Sequence, residues 1–195
     1  MANPLVQPGL PAELADRSQL FEYKGKVGDF ERLVGIVEEA LAGVPEADRP
    51  RDRRMTPVEV KIRFVWVGAE RRMPAITGQA RARLTMLCQR CLEVFEMPVV
   101  ADLRMLLIQP GQDPADVLAG DDFELWELET PTVRPVDIVE EALIMAMPLA
   151  PKHELVDDCG QLAQKIAQDR GMMQDREKAT RPFAGLKLQM EKSNK

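Results

Sequence analysis

The sequence predicts an α+β fold: an antiparallel β-meander or partial barrel with a covering C-terminal helix and one N-terminal helix. Between residues 57 and 108, three long runs alternate apolar and polar side chains with a period of two, which is typical of half-buried strands. Two other segments, 29–41 and 137–147, carry apolar residues at helical spacing. The second is so apolar that it needs a sheet to cover, and the meander offers one.

The chain of 195 residues divides into three predicted parts. Residues 1–18 are rich in proline and glycine and predict a flexible N-terminal arm. Residues 19–160 form a single α+β domain, which is long enough to bury a core without disulfides. Residues 161–195 predict a polar, partly disordered C-terminal tail.

The first half of the domain begins with a short strand at 19–27. Asp29 is then expected to cap a helix over 29–41, which Gly43 and Pro45 end. The meander follows as strands over 58–67, 75–88 and 92–108. The loop at 47–54 holds four arginines but no aromatic neighbour, which favours a solvated loop over a nucleic-acid site.

The second half begins with a proline- and glycine-rich stretch at 110–120, which predicts a mobile loop. Residues 121–129 mix acidic and aromatic side chains, and they predict an edge strand or, alternatively, an exposed docking segment. Asp137 is expected to cap the covering helix, with Glu140 completing a capping box. Pro148 ends that helix.

The central hairpin, 80–96, reads ARARLTMLCQRCLEVFE. It turns at Gln89-Arg90, which lack the glycine or asparagine that a two-residue turn prefers. A Cys-x-x-Cys knuckle offers another way to hold the turn, because Cys88 and Cys91 can present two sulfurs to one tetrahedral ion. The alternative is that both thiols pack as small apolar groups.

Four soft ligands are present: Cys88, Cys91, Cys159 and the single histidine, His153. They make a Cys3His zinc set if the C-terminal loop folds back to the hairpin. A thioredoxin-like dithiol is disfavoured, because such motifs lie at a helix N-terminus and this one lies between strands. No hydrolytic or phosphate-binding motif is present, so no enzyme is predicted.

Charge is segregated along the chain, although the net charge is only −6. Residues 49–104 carry +6 and residues 105–160 carry −11. The basic hairpin could steer one face towards RNA phosphates, and the acidic half could meet basic proteins. Arg81, Arg83 and Arg90 are the candidate contacts. The alternative is that these are simply solvated faces.

Three cysteines, an odd and sparse count, and the absence of a charged-then-apolar leader predict a cytoplasmic protein. No apolar run is long enough for a membrane span.

Four blocks follow one another in the chain: LCQRCLE, DIVEEALIMAMPLAPKHE, the later Cys159 and the tail RPFAGLKLQM. In order and spacing they resemble the YceD family, known as large ribosomal RNA subunit accumulation proteins. The resemblance implies a non-enzymatic factor that supports the synthesis, processing or stability of 23S ribosomal RNA. It would act by binding RNA, a ribosomal protein or a pre-ribosomal particle. YceD-like sequences share the Cys-x-x-Cys and often carry the later His and Cys. The alternative is a zinc-binding or thiol-redox protein outside ribosome biogenesis.

Overall fold

The computed structural model describes residues 3–68, 72–112, 123–160 and 165. These residues belong to two compact units, Met1–Lys152 and His153–Lys195, and each is described by itself. The helices of the first unit are α1 (Pro11–Asp16), α2 (Glu31–Ala40) and α3 (Pro135–Met145). Its strands are β1 (Leu20–Lys26), β2 (Pro57–Val67), β3 (Met73–Leu87), β4 (Val94–Ile108) and β5 (Glu124–Glu127).

The strands form one sheet in the order β1-β2-β3-β4-β5. The first four are an antiparallel meander, as the alternation of their side chains predicts. β5 lies at the edge expected for the acidic segment, but it runs parallel to β4, so the sheet is mixed. In the described part of the chain β1 and β5 are opposite edges and do not pair. The sheet is therefore not closed, and the prediction of a partial barrel is not confirmed.

One side of the sheet, the core face, packs against all three helices. Its register aligns apolar residues of neighbouring strands in rows, such as Val60 with Ala80 and Ala80 with Ala101. Ala15 of α1, Leu33 of α2 and the α3 residues join these strands in one buried cluster. The α3 members are Val136, Ile138, Val139, Ala142 and Leu143. Burial of this shared surface is the main term that holds sheet and helices together.

The opposite side, the open face, carries the polar half of each alternating strand. A second, smaller apolar cluster of Met73, Ala75, Leu106 and Ile108 covers one end of it, with Phe123 packed alongside. The rest of the open face is mostly polar and charged. Its residues are Leu20, Glu22, Lys24, Lys26, Pro57, Glu59, Lys61, Arg63, Thr77, Gln79, Arg81, Arg83, Thr85, Glu96, Pro98, Val100, Asp102 and Arg104.

Both predicted helix caps differ from the structure. Phe30, not Asp29, is the N-cap of α2, while the Asp29 carboxylate accepts hydrogen bonds from Tyr23 Oη (2.7 Å) and the Lys26 amide (2.9 Å). Helix α3 begins at Pro135 with Arg134 as N-cap, because proline suits the first helical position.

This earlier start of α3 places Glu140 in the second turn, where it forms no capping box with Asp137. Its buried carboxylate instead accepts a hydrogen bond from the Leu33 amide, in the first turn of α2, at 3.0 Å. Glu140 therefore supplies a cap to a helix distant in sequence.

The predicted N-terminal arm contains structure of its own. Pro4–Val6 form a 3-10 turn whose amide at Leu5 is capped by Asn3, and Leu5 is fully buried. Gly9 pairs with Val133 through two backbone hydrogen bonds. These contacts tie the segment to the loop before α3, and flexibility of the remainder stays a prediction.

The second unit is described only over 153–160 and at 165. The predicted C-terminal tail, 161–195, therefore lies outside the described residues apart from Lys165, as does most of the predicted mobile loop at 110–120. Within the described ranges, no helix combines the length and the apolarity that a bilayer crossing requires.

Candidate functional sites

The Cys-x-x-Cys motif occupies the connection between β3 and β4. That connection is the six-residue loop 88–93, because β3 ends at Leu87 and β4 begins at Val94. The expected two-residue turn at Gln89-Arg90 is thus wrong. The Cys88 amide donates to Glu93 O (2.9 Å) and the Leu92 amide donates to Cys88 O (2.8 Å). Leu92 adopts a positive φ of 60°, which bends the chain back towards β4.

The loop buries both thiols and directs a donor at one of them. Cys88 is 0% exposed and Cys91 is 4% exposed. The Arg90 amide donates to Cys88 Sγ at 3.4 Å. An N–H group aimed at sulfur stabilises the thiolate form, and such outer contacts orient metal ligands. The loop therefore has the local features of a metal-binding knuckle as well as those of buried packing.

His153 and Cys159 form a second pair, within the second unit. Their Nδ1 and Sγ atoms lie 3.6 Å apart. A tetrahedral zinc ion with Zn–N of about 2.1 Å and Zn–S of about 2.3 Å separates its ligands by about 3.6 Å. Cys159 is 1% exposed, and its amide donates to Val156 O at 3.0 Å. This spacing suits two ligands of one ion.

The predicted Cys3His donor set thus falls as one pair in each unit, Cys88 and Cys91 in the first and His153 and Cys159 in the second. None of the three cysteines forms a disulfide. The Cys-x-x-Cys pair lies between two strands, not at the helix N-terminus that lowers the pKa of a redox thiol. The setting that is typical of a redox dithiol is therefore not the one found at Cys88 and Cys91.

The arginines singled out by the sequence fall in two places. Arg81 and Arg83 are exposed on the open face, as the alternation of β3 requires. Arg81 Nε donates to Gln79 Oε1 (2.6 Å), and Arg83 lies 3.8 Å from Glu96. Arg90 belongs to the hairpin loop and is half-exposed.

Sequence reasoning missed two further cations, Arg63 and Arg104. The register pairs Arg63 with Thr77 and Thr77 with Arg104, so all three form one row across β2, β3 and β4. Both arginines are exposed. Alternation within each strand assigned the arginines to a polar face, but only the pairing register aligns them with each other.

The strands of the open face carry seven cations and four carboxylates, a net charge of +3, although the chain as a whole is at −6. Part of this charge is paired across strands, as in Lys61–Glu22 (2.8 Å) and Lys24–Glu59 (3.0 Å). A groove of about 860 Å³ runs over β1, β2 and β3, and its lining includes Lys61, Arg63, Thr77 and Arg81. The face therefore combines a concave surface with positive charge.

Comparison with known proteins points to one family. A family model described as "Large ribosomal RNA subunit accumulation protein YceD" matches residues 76–189, which is more than half of the chain. The matched region includes most of β3, the hairpin loop, β4, α3 and the His153/Cys159 pair. Neither the search of curated proteins nor the search of solved structures produced a match.

Proposed function

Because the chain belongs to the YceD family, we propose that it is a non-enzymatic factor that supports the synthesis, processing or stability of 23S ribosomal RNA. The family description ties these proteins to accumulation of large-subunit ribosomal RNA. The observation that carries the proposal is the match over residues 76–189, because it spans the structural centre of the chain. The protein acts in the cytoplasm, where ribosomes are made.

The mode of action that we propose is binding of RNA, a ribosomal protein or a pre-ribosomal particle. The cationic open face supports RNA, since positive charge concentrated on one surface attracts phosphates even when the chain is acidic overall. Arg81 and Arg83 project from this face, and Arg90 extends the positive charge into the hairpin loop. The acidic segment around β5 suits a basic ribosomal protein.

Co-sedimentation tests this role. Replacing Arg81, Arg83 and Arg90 with Glu should release the tagged protein from pre-50S particles in a sucrose gradient. A matched control reverses three charges elsewhere, at Arg17, Arg51 and Arg134, and should leave co-sedimentation intact. Unchanged association of the first variant would eliminate these three arginines as contacts. Normal levels of 23S RNA in cells that lack the gene would eliminate the family role itself.

We also propose that Cys88, Cys91, His153 and Cys159 bind one structural zinc ion. Each pair has features of a half-site: an amide hydrogen bond to sulfur in the first, and ligand spacing in the second. The Gln89 amide of the hairpin loop donates to Pro151 O at 2.8 Å, near the end of the first unit.

Bound zinc would supply no chemistry here, because a complete Cys3His shell leaves no open coordination position. It would crosslink the hairpin loop to the chain after α3. Metal analysis of the purified protein should find one equivalent of zinc, and the Cys88→Ser and Cys91→Ser variants should lose it. A matched control, Thr130→Ser, should keep it.

A count of reactive thiols separates the redox alternative from the zinc site. Zinc-bound protein should show slow thiol labelling that becomes fast after chelation. A disulfide that forms and breaks with added oxidant and reductant would instead support thiol exchange. Absence of both zinc and disulfide would leave burial of three thiols as the whole explanation.

A further inference from the structure

We infer that Arg63, Thr77 and Arg104 form a site for the phosphate backbone of single-stranded RNA on the open face. The inference rests on the proposed function, which it deepens by naming a surface and a ligand chemistry.

The row is built by the sheet register. Thr77 of β3 pairs with Arg63 on one side and with Arg104 on the other. Adjacent strands are about 4.8 Å apart, so the two arginine Cα atoms are separated by about 10 Å. All three side chains leave the same side of the sheet, because paired residues share a face. Both guanidinium groups can therefore converge above the Thr77 hydroxyl.

Most other cations of the open face form ion pairs with described carboxylates, whereas these two arginines do not. Lys24, Lys61 and Arg83 each lie within salt-bridge distance of a carboxylate. No described carboxylate forms an ion pair with Arg63 or Arg104 within the ranges 3–68, 72–112 and 123–160. Their planar groups keep their donors for an outside acceptor, and a phosphate accepts two parallel hydrogen bonds from one arginine.

The surroundings favour a chain of phosphates over a single anion. The groove that includes Arg63 and Thr77 also includes Arg81, which lies four residues further along β3. At about 3.4 Å per residue, Arg81 is about 14 Å from Thr77. A single strand that follows β3 can thus place one phosphate over the row and a later one near Arg81.

The site holds the backbone and does not read bases. The polar part of the open face has no aromatic residue, and base stacking needs aromatic platforms. Tyr23 also lines the groove, but it is a residue of β1 that faces the other side of the sheet, and its hydroxyl donates to Asp29. Binding should therefore tolerate any sequence and weaken steeply with salt, because it depends on counterion release.

The experiment measures fluorescence anisotropy of a labelled 20-nucleotide oligouridine with the full chain over a series of KCl concentrations. We expect Arg63→Gln/Arg104→Gln to weaken binding by roughly tenfold or more, since hydrogen bonds to charged groups are lost. The slope of log K against log salt should fall by about 1.4, because each contact with a single strand contributes about 0.7.

The matched control, Arg17→Gln/Arg51→Gln, removes two exposed charges outside the sheet and should change affinity less than twofold. Arg63→Lys/Arg104→Lys keeps the charge, so the salt slope should stay while affinity falls. Equal urea midpoints for all variants show that folding is unaffected, as expected for exposed residues.

An unchanged affinity and slope in Arg63→Gln/Arg104→Gln would overturn the inference while leaving RNA binding by the protein intact. The inference would also be overturned if the wild-type protein does not bind oligouridine yet co-sediments with pre-50S particles. In that case the proposed function would remain, with a ribosomal protein as the binding partner. Failure of the proposed function has a different readout, namely normal 23S RNA in cells without the gene.

Discussion

The cap that Glu140 provides to α2 leads to a sharp prediction about stability. Glu140 is only 5% exposed, and its carboxylate accepts from the Leu33 amide at 3.0 Å. Leu33 is itself fully buried, so water cannot replace the carboxylate as acceptor. Glu140→Ala therefore removes the partner of a buried amide and the negative charge at a helix N-terminus.

The size of the effect follows from these two losses. A hydrogen bond to a charged group contributes about 1.5–3 kcal/mol, and the charge at the helix N-terminus adds about 0.3–1 kcal/mol. Glu140→Ala also removes the cost of keeping a carboxylate away from water, which offsets part of this sum. We therefore expect the free energy of unfolding to fall by about 2 kcal/mol. For a chain of this size, that lowers the melting temperature by about 4–8 °C. Glu140→Gln keeps an acceptor and should lose about half as much.

Urea denaturation followed by circular dichroism measures the loss, and the neighbouring Glu141 provides the control. Glu141 forms an ion pair with Arg32 at the surface, where the Arg32 side chain is 58% exposed. Exposed pairs contribute about 0–1 kcal/mol, so Glu141→Ala should be close to wild type. Equal losses for the two alanine variants, or a Glu140→Ala loss below about 0.5 kcal/mol, would show that the cap does not stabilise α2.

Two further predictions concern a pair of glycines and the single tyrosine. Gly78 has a φ of +146°, and a Cβ there would lie 2.2 Å from Lys61 O; Gly78→Ala should cost at least about 3 kcal/mol or prevent folding. Gly35, inside α2, is the comparison, because a Cβ added there would meet no atom within 4 Å. Gly35→Ala should stabilise the protein by about 0.5–1 kcal/mol in the same urea assay. Burial and the hydrogen bond to Asp29 raise the pKa of Tyr23 to about 12. Since the folded pKa exceeds the ordinary value of 10, the stability from Tyr23 is complete below about pH 10 and is lost as the pH rises through about 12. Absorbance at 295 nm reports this ionisation alone, and a midpoint near 10 would contradict the structure.

The strands were largely predictable because alternation is a local property. β2, β3 and β4 begin and end within two residues of the predicted limits. A strand with one buried and one exposed face alternates apolar and polar residues, so its sequence alone indicates its extent. The caps were not predictable in the same way. Asp29 and Glu140 have side chains that suit capping, yet each bonds a partner that only the folded chain brings near.

The candidate sites also have some features that the sequence shows and others that depend on the folded chain. The donor chemistry of Cys88, Cys91, His153 and Cys159 is visible in the sequence, and so is the polar face that holds Arg81 and Arg83. The backbone donor at Cys88 Sγ and the form of the hairpin loop depend on the folded backbone. Residue types determine which ligands exist, whereas the path of the backbone determines where they lie.

Residue type and local spacing were enough to establish the family, the alternating strands, the apolar faces of the helices and the set of possible metal ligands. Each of these depends on residues that lie close together in the sequence. Long-range pairing settled that the sheet stays open, that β5 runs parallel to β4, and that Arg63 and Arg104 flank Thr77. These features join segments far apart in sequence, and local periodicity carries no information about the register of such pairing.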